Sequence, residues 1–364
     1  MKPKVKTFIT MGMELESYSI FVPENRICRE LHFPRRSIVE KGERFTRDWS
    51  IGTEYNSKVF TSIREASFLL KTGLRKYAKF RKNGNSSHEY VIFPVGGWID
   101  RFAGSHIHLS LAKKGIDYNE AKQISNYLYD HIPFLIALSA NSPVWRAKIT
   151  KYASNRLLHG SNKYCKVARR GMLYKNHYRE LTFNPKSKKK LATLELRVCD
   201  SSLPEYMVAV LCVCLAVTFR WMKKKKPFNQ STHQNYLKAR DQAVRFGTKA
   251  RLVWSNHWIS VPQYVDLFFR KYKEELSQMD IPEDVINIFK YLKKGYNQAD
   301  ILREASSKYQ RKHAPTWQRR FAKRYAVAIE ELLDGNSYKQ FALRLGVKLP
   351  TIERTWLGRK EANW

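Results

Sequence analysis

Gly12-Met13-Glu14-Leu15-Glu16-Ser17 is the stretch on which the reading of this 364-residue chain turns. Two carboxylates stand two residues apart with a leucine between them. Side chains at i and i+2 of a strand share a face, so Glu14 and Glu16 lie side by side while Leu15 points into whatever packs behind. The spacing returns twice with other chemistry. Ser105-His106-Ile107-His108-Leu109 sets two imidazoles on one face, and Leu194-Glu195-Leu196-Arg197-Val198 sets a carboxylate beside a guanidinium. A solvated sheet face carries Lys, Thr and Ser. Paired acids, paired histidines and a Glu/Arg pair, each backed by aliphatic residues, point to a shared site for metal and phosphate. Histidines at this spacing also suit zinc. No third nitrogen or sulfur ligand stands near them in sequence, which ranks zinc below a hard cation.

Composition bounds the rest. Hydrophobic residues make up 43% and aromatic residues 13% of the chain, enough for a packed interior and too much for global disorder. The length exceeds one typical core, so more than one domain is expected. Sixty-seven Lys and Arg against 32 Asp and Glu leave a formal charge of +35. Such a field favours a polyanionic partner: nucleic acid, RNA or DNA, first, with an acidic carrier protein or a membrane surface behind it. Cys28, Cys165, Cys199, Cys212 and Cys214 are odd in number and lack CxxC spacing, which reads as reduced thiols in a cytoplasmic protein. The start MKPKVKTFIT has no signal-peptide apolar core. The most apolar run, 206–219, is shorter than the roughly 20 residues a bilayer needs, so a buried helix is expected and no membrane partner.

Along the chain, residues 5–16 read as the first strand. Glu54 lies in a second strand ending at Ser57-Lys58-Val59-Phe60. A helix is expected over 62–80, with Ser62 as N-cap and Glu65 three residues on. Residues 90–94 and 105–111 are strands, and one helix is expected over 119–138 with Pro143 beyond its end. Residues 151–194 are loop-rich and basic, a helix opens at Pro204-Glu205, and 234–304 reads as helical throughout with breaks at Gly247, Pro262, Pro282 and Gly295. The tail differs. Residues 309–324 are dense in Lys and Arg, and 337–356 reads as two short helices about Leu345-Gly346-Val347, with Pro350 in the first turn of the second. Phe341, Ala342, Leu345, Val347 and Ile352 fall where a helix-turn-helix places its anchors. Two domains are therefore expected, 1–308 and 309–364.

Four blocks in this order, Gly12-Met13-Glu14-Leu15-Glu16, Gly104-Ser105-His106-Ile107-His108, Leu138-Ser139-Ala140-Asn141-Ser142-Pro143 and Leu194-Glu195-Leu196-Arg197-Val198-Cys199-Asp200, resemble the carboxylate–amine ligases of the glutamate–cysteine ligase type, in the glutamine synthetase-like superfamily. The first, second and fourth also resemble the amidoligases of phages and bacteria. Arg240-Asp241-Gln242-Ala243-Val244-Arg245-Phe246-Gly247 is similar to the family's downstream Arg-rich helix. The resemblance covers roughly residues 5–305 and leaves the tail outside.

The resemblance implies an α+β fold: a curved antiparallel sheet with helices on one side, plus the small all-α C-terminal region. It implies ATP and Mg²⁺ or Mn²⁺ on the concave face, phosphorylation of a substrate carboxylate, and attack by an amine to give an amide. Glu14, Glu16, Glu54, His106, His108 and Glu195 would hold metal, since Mg²⁺ takes hard oxygen ligands. Arg197 would neutralise the transferring phosphoryl group, with Glu54 the second catalytic residue. Arg156, Arg240 and Arg245 would bind phosphate or substrate carboxylate. Two departures bear on the substrate. Met13 and Ser17 stand where the family often has a further acid, and the blocks between the histidines and Glu195 are unusually basic. A pair of small free amino acids gains little from +35, so a nucleic-acid-linked or other polyanionic substrate is expected. A catalytically inactive nucleic-acid-binding scaffold and a ligase for free amino acids remain the alternatives.

Overall fold

The computed structural model describes residues 9–28, 33–34, 36–48, 50–82, 90–112, 114–188 and 190–353. Thirteen residues, Ile9–Phe21, form β1, and the remaining strands of the main sheet assemble around it. Met11, Met13 and Leu15 are at most 2% exposed, while Glu14 and Glu16 keep partial access to solvent on the opposite face. That alternation is the period of two read from the sequence.

The main sheet takes in β2 (Arg26–Ile27), β3 (Arg44–Asp48), β4 (Gly52–Asn56), β5 (Tyr90–Phe93) and β6 (Gly104–Leu111). After a small hairpin, β7 (Val144–Trp145) and β8 (Lys148–Ile149), come β9 (Tyr174–Lys175), β10 (Leu181–Asn184) and β11 (Thr193–Asp200). The order is β3-β4-β1-β6-β11-β10-β9, with β2 and β5 also pairing to β1. Within this sheet the named pairs are antiparallel except β9 with β10.

Helices cover the aliphatic face of the sheet: α1 (Ile63–Lys82), α2 (Tyr118–Tyr129) and α3 (Ile132–Ser139) lie against strands, α4 (Asn155–Tyr164) follows the β7–β8 hairpin, and α5 (Pro204–Met222) packs on the first three. Ser62 caps α1 as expected, accepting from Glu65 N at 3.1 Å. The Glu65 carboxylate reaches back one residue further than a capping box does, to Thr61 N at 3.1 Å. α5 has the length and apolarity of a membrane span, but Pro204 through Phe219 are buried in the protein core against α1, α2 and α3. Then follow α6 (His233–Phe246), a hairpin of β12 (Arg251–Trp254) and β13 (His257–Ser260), α7 (Val261–Lys271), α8 (Lys273–Leu276), α9 (Glu283–Lys293), α10 (Gln298–His313), α11 (Trp317–Leu333) and α12 (Tyr338–Arg344).

The structure corrects several sequence expectations. The helix over 119–138 is two helices, because Pro133 opens α3 with no N–H to give and Asp130 is taken by the Arg170 guanidinium at 2.6 Å and the Ser231 hydroxyl at 2.7 Å. Within 234–304 lies the β12–β13 hairpin. Ser255 and Asn256 both have positive φ, the turn that matches strand twist, and Trp254 and His257 close it.

The helix-turn-helix is not formed in the described residues. α12 ends, Gly346 turns at φ 83°, and residues 347–353 carry no helix. Val347 and Leu349 sink into the core instead, and Pro350 disfavours a helical conformation for the residue before it. Trp356 lies outside the described residues. Nor do the tail helices stand apart from the sheet. Phe321 and Tyr325 of α11 pack on Phe93, with ring centroids 6.0 and 4.0 Å away, and Tyr338 meets Tyr206 of α5 hydroxyl to hydroxyl at 2.7 Å. One apolar cluster runs from Ile9 to Leu349.

Candidate active site

Strand register turns the three dipeptide-spaced pairs into a grid on the polar face of the sheet. Glu14 of β1 stands between Asn56 of β4 and His106 of β6; Glu16 stands opposite Glu54. His108 pairs across one side with Gly12 and across the other with Glu195, which in turn faces Thr182. Glu14, Glu16, Glu54, His106, His108, Glu195 and Arg197 thus converge from four strands that lie far apart in sequence.

The side chains meet. The Glu14 carboxylate lies 3.0 Å from His106 Nδ1 and 3.3 Å from His108 Nε2. His106 Nδ1 is also 3.4 Å from Glu195 Oε1, which accepts from Arg197 Nη1, while Glu195 Oε2 accepts from Asn184 at 2.7 Å. Thr193 Oγ1 holds His108 Nδ1 at 3.2 Å, turning the other ring nitrogen toward the acids. At the far end, Glu16 accepts from Gly104 N, and Glu54 accepts from Asn56 at 2.7 Å.

Charge is distributed unevenly over this face. Burial by itself would raise Glu14, yet hydrogen bonds and charge from His106 and His108 hold it well below the usual carboxylate range. Burial likewise works against Glu195, and His106, His108 and Arg197 outweigh it, so this acid too is lowered. Glu54 goes the other way: burial, and then the charge of Glu14, raise it. Burial pulls His108 down, but Glu14 and Glu195 leave it raised overall. Arg197 stays firmly cationic, the charge of Glu195 exceeding the penalty of burial.

This donor set suits a hard divalent cation. One atom each from Glu14, His108 and Glu195 lies within 4.8 Å of the others. His108 Nε2 is buried and turned to the Glu14 carboxylate at 3.3 Å, so a cation seated between them would find nitrogen and oxygen already facing each other. Oxygen donors outnumber the imidazole, the balance for Mg²⁺ or Mn²⁺. Glu14, Glu195 and His108 would hold the ion, with Glu16, Glu54 and His106 on the same face.

Three arginines proposed from sequence fare differently. Arg156 lies at the end of the face: a Cβ on Gly104 would run into its guanidinium, Nη2 donates to the Arg197 carbonyl at 3.1 Å, and Nη1 is buried without a partner. Arg240 does not reach the face. Its Nε is bound to the fully buried Glu180, which also accepts from Tyr236 Oη and Ala168 N. Arg245 is on the surface, paired with Asp241 one helical turn back at 2.8 Å. Both sit on α6, on sides of the helix that serve the core and the solvent.

Sequence reasoning missed Asn184, Thr193 and Tyr178. The first two are paired neighbours on the β10–β11 hairpin, so recognising Thr182-Phe183-Asn184 as the strand partner of Thr193-Leu194-Glu195 would have found them. Nothing in local spacing marks Tyr178, whose ring centre is 5.2 Å from the Arg197 guanidinium carbon. The third motif proves to be a support: Asn141 N, Ser142 Oγ and Ser154 Oγ all donate to the buried Asp200, at 2.8, 2.7 and 2.9 Å.

Comparison with known proteins agrees with this architecture. The profile of glutamate-cysteine ligase family 2 (GCS2) matches residues 87–159. A Legionella pneumophila (strain Corby) protein, provisionally assigned as glutamate–cysteine ligase 2-2, is 28% identical over 224 residues, covering 55% of this chain and 58% of the relative. A similarly assigned Corynebacterium glutamicum (strain R) protein is 28% identical over 218 residues, 51% and 55% of the two chains. This chain therefore spans a little over half the length of the curated relatives it matches. Among solved structures, Francisella tularensis glutamate–cysteine ligase with AMP superposes at TM-score 0.59 with 12% identity, covering 94% and 92% of the two chains. The ligase PafA in complex with the prokaryotic ubiquitin-like protein Pup superposes at 0.57 with 12% identity, covering 95% and 80%. The resemblance carried by the four motifs is thereby borne out: the chain shares the α+β fold of these ligases and is similar in sequence to glutamate–cysteine ligases over about half its length.

Proposed function

We propose that this chain is an ATP-dependent carboxylate–amine ligase, joining an acid to an amine through an acyl phosphate. The observation that carries the reading is the convergence of Glu14, His108 and Glu195 within 4.8 Å, with Arg197 bound to the last of them. Glu14, His108 and Glu195 would hold a divalent ion there, and its charge would offset that of nucleotide phosphates. Arg197, partly exposed, permanently charged and fixed by Glu195, presents a planar cation to the phosphoryl group as it passes to the substrate carboxylate. Arg156, whose Nη1 is buried and unpartnered, is placed to hold the substrate carboxylate or a phosphate oxygen. Glu54, two strands from the imidazoles and with its carboxylate held by Asn56, is the group we assign to take the proton that the attacking amine must lose.

The neighbours support the nucleotide: one was solved with AMP and a second PafA structure with ADP. PafA is the ligase of a protein, Pup, so this fold admits a macromolecular partner. With a charge of +35, we infer that one of the two substrates here is borne on a polyanion. Ligation of free glutamate and cysteine is the second reading, favoured by the 28% identity to relatives assigned that activity.

ADP release in Mg²⁺ tests the core of the proposal, with candidate acids and amines supplied free or on RNA, DNA or acidic polypeptide. Glu14→Gln and Glu195→Gln are expected to lower it at least 100-fold, roughly the loss when a group serving charge development is removed. Parent-like ADP release in both variants would refute the assignment. Turnover with free glutamate and cysteine alone would decide for the second reading.

A further inference from the structure

Beyond Arg197 the sheet ends in a surface for which the ligation chemistry has no use. Between Lys163 and Ala192 the sequence holds a single acid, Glu180, and that side chain is fully buried against Arg240 and Tyr236. The same segment exposes Lys166, Arg169, Lys175, Lys186, Lys188 and Lys190. Elsewhere many surface lysines are matched with acids, as Lys58 is with Glu40, Lys71 with Asp284, and Lys223 and Lys225 with Glu274. Here the ion pairs among the described residues are Arg170 with Asp130 and Glu180 with Arg240, and none of those six cations takes part.

Large apolar side chains are interspersed with the charge. Tyr178 is 62% exposed and Met172 55%. The Tyr178 ring lies over the Arg197 guanidinium, so the surface is continuous with the site there. β9, the edge strand that carries Lys175, lies two strands from β11, about 10 Å across the sheet.

We propose that this edge, from Tyr178 and Lys190 out to Lys175, seats a single-stranded nucleic acid and brings the acid or amine it carries to Arg197. The inference rests on the ligase reading for that last step alone. Unpaired lysines track phosphates, and an exposed aromatic face beside a guanidinium gives a base somewhere to stack. An acidic polypeptide would use the lysines and leave the face of Tyr178 without a partner.

The test is fluorescence anisotropy of the full chain with labelled oligo(dT) and oligo(U) of about 20 nucleotides, repeated across salt concentrations. Each phosphate contact contributes roughly 0.7 to the slope of log affinity against log salt for single strands, so Lys175→Ala/Lys186→Ala/Lys188→Ala should flatten it by about 2. Tyr178→Ala should weaken binding roughly 5- to 150-fold, the range of one lost stack, while Tyr178→Phe retains it. Lys223→Ala/Lys225→Ala, which removes basic charge outside this edge, should change neither quantity. Tighter binding of oligo(U) or of oligo(dT) identifies the strand as RNA or DNA.

An unchanged slope in the triple variant, or parent-like binding by Tyr178→Ala, overturns the proposal. So does displacement of the oligonucleotide by poly-L-glutamate at equal charge with no dependence on Tyr178, which would make the partner an acidic polypeptide. Glu195→Gln separates the two claims: it should bind oligonucleotide like the parent while losing ADP release. A parent that binds in this way but releases no ADP under any condition defeats the ligase reading and leaves the surface standing.

Discussion

Removing one carboxylate from the Glu14–His108–Glu195 cluster should strip the protein of most of its metal-dependent stabilisation. An ion that binds the folded chain and not the unfolded one stabilises it by about 2.7 kcal/mol at a concentration 100 times its Kd. Unfolding entropy of roughly 2.1 cal/mol/K per residue over 364 residues is about 0.76 kcal/mol/K, so that stabilisation raises Tm by about 3.5 °C. Glu14 contributes one of the three converging donors. If Glu14→Gln weakens the ion 100-fold, the same concentration yields only about 0.4 kcal/mol, a shift of about 0.5 °C. Scanning fluorimetry with increasing Mn²⁺ or Mg²⁺ reads this directly, with Asp241→Asn on the exposed face of α6 as the control that keeps the full shift. Equal shifts in Glu14→Gln and parent would refute the argument, because the cluster would then not be where the ion binds.

Two further predictions concern groups away from that cluster. Arg240→Met leaves the fully buried Glu180 without its cation and should destabilise by roughly 3–5 kcal/mol, largely recovered in Arg240→Met/Glu180→Gln. Arg245→Ala, losing a surface pair, should stay within about 0.5 kcal/mol in the same urea titrations, and similar losses at the two arginines would contradict their placement. His131 is buried between the hydroxyls of Tyr264 and Tyr272, at 2.8 and 3.0 Å, and burial pushes its imidazole down to about 3. An unfolded histidine titrates near 6.5, so between those values the unfolded chain binds a proton the folded one does not. Stability should therefore fall as pH drops from about 6.5 toward 3, by about 1.4 kcal/mol per unit from this residue. His131→Gln should show a correspondingly shallower decline, and parallel curves would rule the effect out.

How far the sequence could be read depended on the range of the forces involved. Glu14, Glu16, His106, His108, Glu195 and Arg197 were visible because strand period is local, and two residues suffice to fix a shared face. Their meeting was not visible from period alone. It depends on β1 pairing with β4 and β6 at one register, and only the ordered family motifs carried that information. Arg240 and Arg245 show the converse: five residues apart on α6, they looked equivalent as charges, but Glu180, sixty residues from the first, decided which was buried. The tail misled for a related reason. Its anchors Phe341, Leu345 and Val347 have helix-turn-helix spacing, but apolar spacing reports only that a face is covered. Here the cover is the protein's own core. The β12–β13 hairpin was hidden by helical signals on either side of a turn, Ser255-Asn256, that lacks glycine.

β1 carries a further consequence. Both its edges are zipped to partners whose own acids and imidazoles must land opposite Glu14 and Glu16, so the strand works as a ruler with no slack. One residue gained or lost between Gly12 and Ser17 would turn Leu15 outward and drive a glutamate into the aliphatic layer, inverting the face in a single step. Evolution of this fold can therefore proceed by exchanging letters along that strand and by lengthening the loops around it, but not by changing the count.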